Sequence, residues 1–338
     1  MTSDSAAPIR PGEELDLRAL ELYLGSPLGS VRQFPGGHSN LTYLLTFANG
    51  EEAVLRRAPL GPVAPKAHDM VREARILEAV SPLFPPAPKP LRICEDPAIL
   101  GVPFFLMERR AGTILRTEVP PKIAALPNYA ERISAAFVAC LAELHRIDLA
   151  ANNLARLGKP DGFVERQVRG WTDRWNRART DDTPPEMDAV IAWLAANLPQ
   201  SNAATLVHND FKLDNVMLAG DGAIDRVEAV LDWEMATIGD PMIDLGLTLC
   251  YWTHSSFSTF TAGPGWYTRD QFLHHYARLS GQDIRDIRFH ETLGVFKLAV
   301  ILQQIYFRYR RGQTQDERFA QFGGRVAALT SKALELSR

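Results

Sequence analysis

A polar octet between two short apolar runs constrains this chain more than any other feature. The octet runs from His208 to Asn215, with Asp210 five residues before Asn215, and Asp232 follows beyond an intervening Asp-Gly turn. Apolar runs on both sides of that turn predict a β-hairpin that folds near Gly222. Such a hairpin would place Asn215 at the start of one strand, opposite Asp232 at the end of the other. We therefore expect two oxygen ligands to converge on one point, as a hard cation requires.

The combination predicts phosphoryl transfer from a nucleotide. In that reaction one carboxylate meets the acceptor hydroxyl, while an amide oxygen and another carboxylate hold Mg²⁺ on the phosphates. Asp210 is the candidate general base, or at least the group that orients the acceptor hydroxyl. Lys212 would place a cation beside the transferring phosphoryl group, where negative charge accumulates. Asn215 and Asp232 are the candidate metal ligands, and Glu234 could reach the metal indirectly.

The octet matches the catalytic-loop pattern H-R-D-L-x-x-x-N of the protein kinases, with Asn209 in place of Arg and Phe211 in place of Leu. With the segment from Leu231 to Gly246, it makes the chain resemble the aminoglycoside phosphotransferase and choline kinase branch of the protein-kinase-like superfamily. Within that branch the chain is most similar to the phosphotransferase domains that are fused to acyl-CoA dehydrogenases in some proteins. The resemblance extends from Phe34 to the C-terminal helices, and it implies a small-molecule kinase that uses ATP and Mg²⁺.

The resemblance also implies an α+β, bilobal protein-kinase-like fold. An N-terminal lobe over residues 1–108 would carry an antiparallel sheet and bind the nucleotide, after a loose tail over residues 1–12. A larger, mainly helical C-terminal lobe over residues 109–338 would hold the catalytic loop and the substrate. Periodicity predicts strands at 31–34, 41–47, 53–57, 91–94 and 102–107, and helices at 13–24, 64–80, 129–147, 163–179, 186–198, 269–279, 289–309 and 316–336.

Several residues before the octet are expected to bind the nucleotide. The glycine-containing turn Gly36-Gly37-His38-Ser39-Asn40 lets backbone N–H groups approach phosphate oxygens, and in the family this loop covers the nucleotide. Arg56 matches the strand position at which protein kinases carry the lysine that pairs with the phosphates. It is favoured over Arg57 because it shares a strand face with Val54. In the family pattern, Glu73 pairs with this cation.

The resemblance assigns three further roles. Met107, Glu108 and Arg110 belong to the hinge between the lobes, where backbone groups meet adenine. His208 is expected to pack beneath the catalytic loop and to hydrogen-bond its backbone. Asp244 would also hydrogen-bond the loop backbone, and we interpret it as a support and not as a ligand.

The distribution of charge bears on the acceptor. Residues 121–250 contain 12 Lys and Arg against 19 Asp and Glu, whereas residues 251–338 contain 12 against 7. Kinases of cationic aminoglycosides need an acidic substrate lobe, whereas clustered arginines such as those in residues 308–311 can bind carboxylate or phosphate. We therefore predict an anionic or neutral hydroxylated acceptor, such as a hydroxyacyl compound. Two alternatives stay open, an aminoglycoside acceptor and arginines that only keep a helix soluble.

Composition and motifs disfavour other classes of protein. Three widely spaced cysteines form no C-x-x-C pair, and no signal peptide or membrane-spanning run is present, so we expect a cytoplasmic protein without membrane partners. No basic RNA-binding motif predicts a nucleic-acid partner, and no obligate protein partner is evident. A protein kinase is disfavoured because a helix follows Asp232 where an activation segment would be needed.

A non-catalytic nucleotide-binding module is the alternative from a different class, since Arg56 departs from the usual lysine. The intact set of Asp210, Asn215 and Asp232 speaks against it. The sequence leaves open the choice between ATP and GTP, and whether residues 255–266 form a lid.

Overall fold

The computed structural model describes residues 6–35, 40–59, 68–201, 204–220, 222–254, 260–314 and 316–338. Within these ranges the strands are β1 (Leu28–Gln33), β2 (Leu41–Phe47), β3 (Glu52–Arg57), β4 (Pro90–Cys94), β5 (Phe104–Glu108), β6 (Gly112–Ile114), β7 (Thr205–Val207), β8 (Val216–Ala219), β9 (Val227–Val230) and β10 (Thr237–Gly239). The helices are α1 (Leu17–Leu24), α2 (Met70–Val80), α3 (Pro97–Leu100), α4 (Pro121–Ala124), α5 (Tyr129–His145), α6 (Phe163–Arg177), α7 (Met187–Ala196), α8 (Pro241–Thr253), α9 (Arg269–Ser280), α10 (Ile287–Arg310) and α11 (Phe322–Leu336). The predicted α+β class is therefore confirmed.

The contacts within the chain define two compact units. The first unit is Met1–Arg116 with Leu213–Ala236, and the second is Thr117–Lys212 with Thr237–Arg338. The hairpin β8–β9 thus belongs to the first unit, although it follows three long helices of the second unit in the sequence. The division into lobes at residue 108 stays a prediction.

The five-stranded sheet of the first unit determines where Arg56 points. Its antiparallel strands lie in the order β1-β2-β3-β5-β4. Alternate residues of β2, β3 and β5 point to one face, where Tyr43, Leu55 and Phe104 share a core with Leu20 of α1. Arg56 follows Leu55 in β3, and its side chain therefore points to the opposite face.

The hairpin β8–β9 carries Asn215 immediately before its first strand. Its turn is centred between Gly222 and Ala223. A regular hairpin about this centre would pair Asn215 with Val230, two residues before Asp232. The register shifts by one residue within the hairpin. The backbone N–H of Leu231 consequently donates to the carbonyl oxygen of Asn215 over 2.8 Å. The predicted pairing of Asn215 with Asp232 is therefore wrong by one residue.

Two helices, α2 and α11, begin later in the chain than the sequence predicted. The helix predicted over 64–80 begins at Met70, because Asp69 accepts a hydrogen bond from the backbone N–H of Arg72 and His68 has a positive φ of 59°. Residues 60–67 lie outside the described residues. The helix predicted over 316–336 begins instead at Phe322, after a 3-10 turn.

In the part of the chain that the structure describes, no helix is long and apolar enough to cross a membrane.

The helices of the second unit pack around a close crossing of α8 and α10. A Cβ atom added at Gly246 of α8 would overlap the backbone carbonyl group of His290 on α10. A Cβ added at Gly294 of α10 would lie 2.9 Å from the carbonyl oxygen of Gly246. Glycine at both positions lets the two backbones touch, so the residues that follow them on α8 and α10 come close to the same loop.

We expect Gly246→Ala to destabilise the protein by about 1–3 kcal/mol, because a methyl group has no room at this crossing. Gly170→Ala is the matched control, since Gly170 lies within α6 and an added Cβ would meet no atom within 4 Å. That change should stabilise the protein by about 0.5–1 kcal/mol through helix propensity. Urea unfolding followed by tryptophan fluorescence measures both effects. Equal stabilities for the two variants would mean that α8 and α10 do not cross at these glycines.

Candidate active site

Arg56 lies at the end of β3 among carboxylates of the first unit. Its Nη2 atom is 3.3 Å from Oε1 of Glu73, on α2, and 3.1 Å from Oδ1 of Asp232. Arg56 and Glu73 are both buried, with Glu73 only 1% exposed. The strand cation and the helix glutamate therefore form the ion pair that the sequence led us to expect, and Asp232 joins it.

Three carboxylates act on this one guanidinium group. Burial alone would lower the pKa of Arg56, but Glu73, Asp232 and Glu234 outweigh that effect and hold the pKa above its usual value. The pKa of Glu73 is raised to about 7, first by burial and then by Asp232 and Glu234, while Arg56 opposes the rise. The cluster has more carboxylates than arginines, and this arrangement favours the binding of a further cation.

Asn40 ties the end of the glycine-containing loop to this cluster. Its Nδ2 atom donates to Oε2 of Glu234 over 2.9 Å, and its Oδ1 atom lies 2.9 Å from Nδ1 of His68. Asp232 itself has a positive φ of 66°, a backbone conformation that costs free energy for residues other than glycine and is common at functional sites. The segment that begins at Asp232 is thus held from two sides, by Arg56 and by Asn40.

The structure separates the two neighbouring arginines of β3. Arg57 points into the core of the sheet, where its Nη2 atom donates to the hydroxyl oxygen of Tyr43 over 3.0 Å and to the carbonyl oxygen of Glu13 over 2.9 Å. Its guanidinium carbon lies 5.4 Å from the centre of the Tyr43 ring. Arg57 therefore ties the segment that precedes α1 to the sheet, and Arg56 is the arginine that faces the carboxylates.

One cavity of the first unit, about 390 Å³ in volume, brings most of the predicted nucleotide and metal residues together. Its lining includes Arg56, Met107, Glu108, Arg110, Asn215 and Asp232. Apolar side chains of Val54, Met217 and Leu231 also line this wall. Apolar walls with a few fixed polar groups are typical of sites that bind small molecules.

The side chains of the predicted hinge are bonded within the protein. The guanidinium group of Arg110 contacts the carboxylates of Glu108 and Glu228 and the carbonyl oxygen of Pro85. The Glu108 carboxylate also accepts a hydrogen bond from the backbone N–H of Lys89 over 2.8 Å. That a ligand meets the backbone of residues 108–110 stays a prediction.

In the second unit, Asp244 holds the loop that carries Asp210. Its two carboxylate oxygens accept hydrogen bonds from the backbone N–H groups of His208 and Asn209, each over 2.5 Å. Nε2 of His145 lies 3.2 Å from the same carboxylate. Burial would raise the pKa of Asp244, but hydrogen bonds from His145 and His208 hold it below its usual value. Asp244 therefore lies where a support of the loop backbone was expected.

Asp210 is oriented by two side chains. The hydroxyl group of Tyr251 donates to its Oδ1 atom over 3.0 Å, and Nζ of Lys212 lies 2.9 Å from its Oδ2 atom. The backbone N–H of Asp210 donates to Nδ1 of His208 over 3.3 Å. His208 is fully buried beneath the loop. The carboxylate of Asp210 is thus fixed in one direction before any substrate binds.

One face of α8 supplies several of these contacts. Asp244, Thr248 and Tyr251 are spaced at i, i+4 and i+7, and this spacing aligns them along one side of a helix. Thr248 donates to the carbonyl oxygen of Phe211 over 2.8 Å. The loop is therefore bonded to α8 at four consecutive residues, 208 to 211.

Sequence reasoning missed Arg116 in the first unit, and Tyr251 and Lys297 in the second unit. Arg116 lines the first-unit cavity, and the other two contact the loop of the second unit. A polar stripe in the otherwise apolar helix α8 could have indicated Tyr251. Of the predicted site residues, Gly36, Gly37 and Ser39 lie outside the described residues.

The fold and these residues define a phosphotransferase of the kinase-like class. Arg56 of an antiparallel sheet forms a buried ion pair with Glu73 of α2, and a catalytic loop carries Asp210 five residues before Asn215. A model of the phosphotransferase enzyme family matches residues 30–289. The chain belongs to this family.

Individual relatives agree with this assignment. The chain is 35% identical over 346 residues to acyl-CoA dehydrogenase family member 10 of Mus musculus, an alignment that covers 98% of this chain and 31% of the relative. The chain therefore spans about a third of the length of that curated relative. A candidate aminoglycoside phosphotransferase from Ralstonia eutropha has a crystal structure with a TM-score of 0.82 at 29% identity, covering 96% of this chain and 98% of that one.

A more distant structure shows the same fold. A thermostable mutant of aminoglycoside phosphotransferase APH(4)-Ia, in a ternary complex with AMP-PNP and hygromycin B, has a TM-score of 0.59 at 18% identity and covers 94% of this chain and 98% of that one. The comparisons confirm the predicted family, the kinase-like α+β fold and the enzymatic class of small-molecule kinase.

Proposed function

We propose that the protein binds ATP with Mg²⁺ and transfers the γ-phosphoryl group to a hydroxyl group of a small molecule that is anionic or neutral. The observation that carries the proposal is the first-unit cavity, because its lining joins apolar side chains to Arg56, Asn215 and Asp232. A nucleotide has both an apolar base and charged phosphates, and this lining suits both.

Within the cavity, the base would lie against Val54, Met217 and Leu231, with the backbone of residues 108–110 offering hydrogen bonds. Arg56 would contact the phosphates, since its planar group of donors matches phosphate oxygens. The complex of the distant structural relative with AMP-PNP supports an adenine nucleotide. GTP is the alternative nucleotide.

Asn215 and Asp232 would hold Mg²⁺. An amide oxygen and a carboxylate are the oxygen donors that this cation prefers. The excess of carboxylates around Arg56, from Glu73, Asp232 and Glu234, fits a dication as well. When bound, the ion neutralises charge on the phosphates.

Asp210 would orient the acceptor hydroxyl and accept its proton. Tyr251 and Lys212 fix its two carboxylate oxygens, so the direction of the carboxylate is set in advance. Lys212 would also stabilise the negative charge that develops on the transferring group.

The charges near Asp210 favour an acceptor that is not a polycation. Two cations of the second unit, Lys212 and Arg174, lie close enough to the neighbouring Lys297 to shift its pKa, as do the carboxylates of Asp210 and Asp244. Asp244 is buried and already bonded to the loop and to His145, so it could not neutralise an ammonium group of a ligand. Several acidic side chains would be needed to bind an aminoglycoside.

The arginines near the end of α10 give weaker support for an anionic acceptor. Arg310 forms an ion pair with Asp182 at 2.9 Å and lies over the ring of Tyr306. Arg308 and Arg311 are exposed. The similarity to a relative named as an acyl-CoA dehydrogenase family member supports a hydroxyacyl compound, carried on coenzyme A, as the acceptor.

We expect Asp232→Asn to weaken the effect of Mg²⁺ on nucleotide affinity. In the wild type, Mg²⁺ should tighten binding of AMP-PNP by at least about tenfold, or about 1.4 kcal/mol. The neutral amide of the variant holds a dication less well than a carboxylate does. Isothermal titration with AMP-PNP, with Mg²⁺ and with a chelator, measures the difference for each protein.

Asp225→Asn is the matched control, because Asp225 is an exposed aspartate at the turn of the same hairpin. It should keep the full effect of Mg²⁺. An unchanged effect of Mg²⁺ in Asp232→Asn would show that the Asp232 carboxylate does not hold the metal ion.

A further inference from the structure

Lys297 is a buried lysine of α10 that faces the catalytic loop. It is 4% exposed and lies between Phe296 and Leu298, both of which are buried apolar residues. Its Nζ atom donates to the backbone carbonyl oxygen of Asn209 over 2.8 Å. Burying an ammonium group costs free energy unless the group is hydrogen-bonded or paired. Packing alone would therefore favour an apolar residue at this position.

The carbonyl group that Lys297 contacts belongs to the peptide bond between Asn209 and Asp210. The N–H group of the same peptide donates to Nδ1 of His208 over 3.3 Å. Asn209 has a positive φ of 65°, a conformation that is sparsely populated by residues other than glycine. The peptide that leads into Asp210 is therefore held at both of its polar atoms, in a backbone conformation that needs such support.

The packing of the second unit brings Lys297 to this carbonyl group. The close crossing of Gly246 and Gly294 places α10 directly against α8, and Lys297 follows Gly294 by three residues, almost one turn. Its Nζ atom also lies 5.5 Å from the centre of the Trp171 ring on α6. The stem of the side chain is thus guided between helices toward one backbone oxygen.

We propose that Lys297 is a positioning residue, whose ammonium group holds the Asn209–Asp210 peptide and thereby fixes the Asp210 carboxylate for phosphoryl transfer. The effect of Lys297 on catalysis rests on the proposed function of Asp210. Lys297 contacts the loop through Asn209 and is a different support from Asp244, which binds the N–H groups of the loop.

The charge state of Lys297 gives the proposal a pH dependence. Burial lowers its pKa to about 8, while Asp210 and Asp244 act to raise it and Arg174 and Lys212 act to lower it. Hydrogen bonds from charged donors are about twice as strong as those from neutral ones. The loop should therefore loosen as the pH rises above about 8, when Lys297 loses its proton.

Three variants test the proposal: Lys297→Met, Lys297→Arg and the control Lys332→Met. Methionine keeps the length of the side chain but removes the charge and the donor, whereas arginine keeps both. Lys332 is a partly exposed lysine of α11 that pairs with Glu335. Hydrogen–deuterium exchange, corrected for the intrinsic effect of pH, follows residues 205–212 in the full chain.

For Lys297→Met we expect faster exchange that is confined to residues 205–212 and a melting temperature that is unchanged or higher, because a buried charge is gone. With hydroxybutyryl-CoA as the acceptor and Mg-ATP as the donor, kcat should fall at least about tenfold while KM for ATP stays the same, since misplacement by about 1 Å can cost a hundredfold. Lys297→Arg should restore both. Above about pH 8, the wild type should show the faster exchange and Lys297→Arg should not.

Three results would overturn the proposal. The first is unchanged exchange in Lys297→Met. The second is faster exchange throughout α8, α10 and α11 with a lower melting temperature, because that pattern marks a structural residue. The third is faster exchange at the loop with no change in kcat. If the wild type transfers no phosphoryl group to any acceptor, the proposed function fails, and the exchange data still decide whether Lys297 holds the loop.

Discussion

Asp210→Asn is expected to lower kcat by about 10²–10⁴-fold, the range in which positioned general bases contribute to catalysis. The amide keeps the size of the carboxylate but cannot accept the proton of the acceptor hydroxyl. It also cannot accept strong hydrogen bonds from both Tyr251 and Lys212, which bind the two oxygens of the carboxylate. Release of ADP from Mg-ATP, measured with saturating acceptor, gives kcat directly.

Asp173→Asn is the matched control for this prediction. Asp173 is an exposed aspartate on α6 of the same unit, so the same chemical change should leave kcat unaltered. Binding of AMP-PNP should be the same in both variants, because Asp210 is not part of the nucleotide cavity. A turnover number for Asp210→Asn within a factor of about three of the wild type would remove Asp210 from the reaction.

The second large effect concerns stability. We expect Asp244→Asn to destabilise the protein by about 3–5 kcal/mol, because a buried, bonded carboxylate is replaced by a group that cannot accept from both backbone N–H groups. Those N–H groups belong to His208 and Asn209, and His145 loses its partner as well. Urea unfolding followed by tryptophan fluorescence is suitable, because five of the six tryptophans lie in the second unit. Asp270→Asn, on the exposed start of α9, is the control.

The destabilisation caused by Asp244→Asn should depend on pH. The pKa of Asp244 is lowered in the folded protein, so its carboxylate adds stability at every pH above the unfolded value of about 4. That contribution is lost as the pH falls through the lower, folded pKa. The difference in unfolding free energy between wild type and Asp244→Asn should therefore be full at neutral pH and shrink below about pH 4. A difference that does not change with pH would mean that the Asp244 carboxylate is not ionised in the folded state.

Much of the fold could be predicted because its signals are local. The limits of β2 were predicted without error, and α8 begins at Pro241 with Asp240 as its cap, two residues that are typical of a helix start. Arg56 and Arg57 could be distinguished because successive side chains of a strand point to opposite faces of the sheet. The start of α2 was wrong because Asp69, and not the apolar pattern, determines where that helix begins.

The parts of the site that escaped prediction depend on long-range packing. Lys297 contacts Asn209 across 88 residues of sequence, and no pattern within α10 identifies that partner. Tyr251 reaches Asp210 only because α8 is placed beside the loop by Asp244 and Thr248. The register of the hairpin was wrong by one residue because a bulge leaves no recognisable trace in short apolar strands.

The central claim is that this chain moves a phosphoryl group from ATP to a hydroxyl group. The most direct test incubates the wild type with Mg²⁺ and γ-labelled ATP in the presence of hydroxyacyl-CoAs, sugars, choline-like alcohols or aminoglycosides, and identifies labelled products by mass spectrometry. We predict a labelled phosphate ester of an anionic or neutral acceptor, no label on aminoglycosides, complete loss of product with a chelator, and product formation slower by about 10²–10⁴-fold in Asp210→Asn. Binding of AMP-PNP without a labelled product from any of these classes would contradict the claim and favour a non-catalytic nucleotide-binding module.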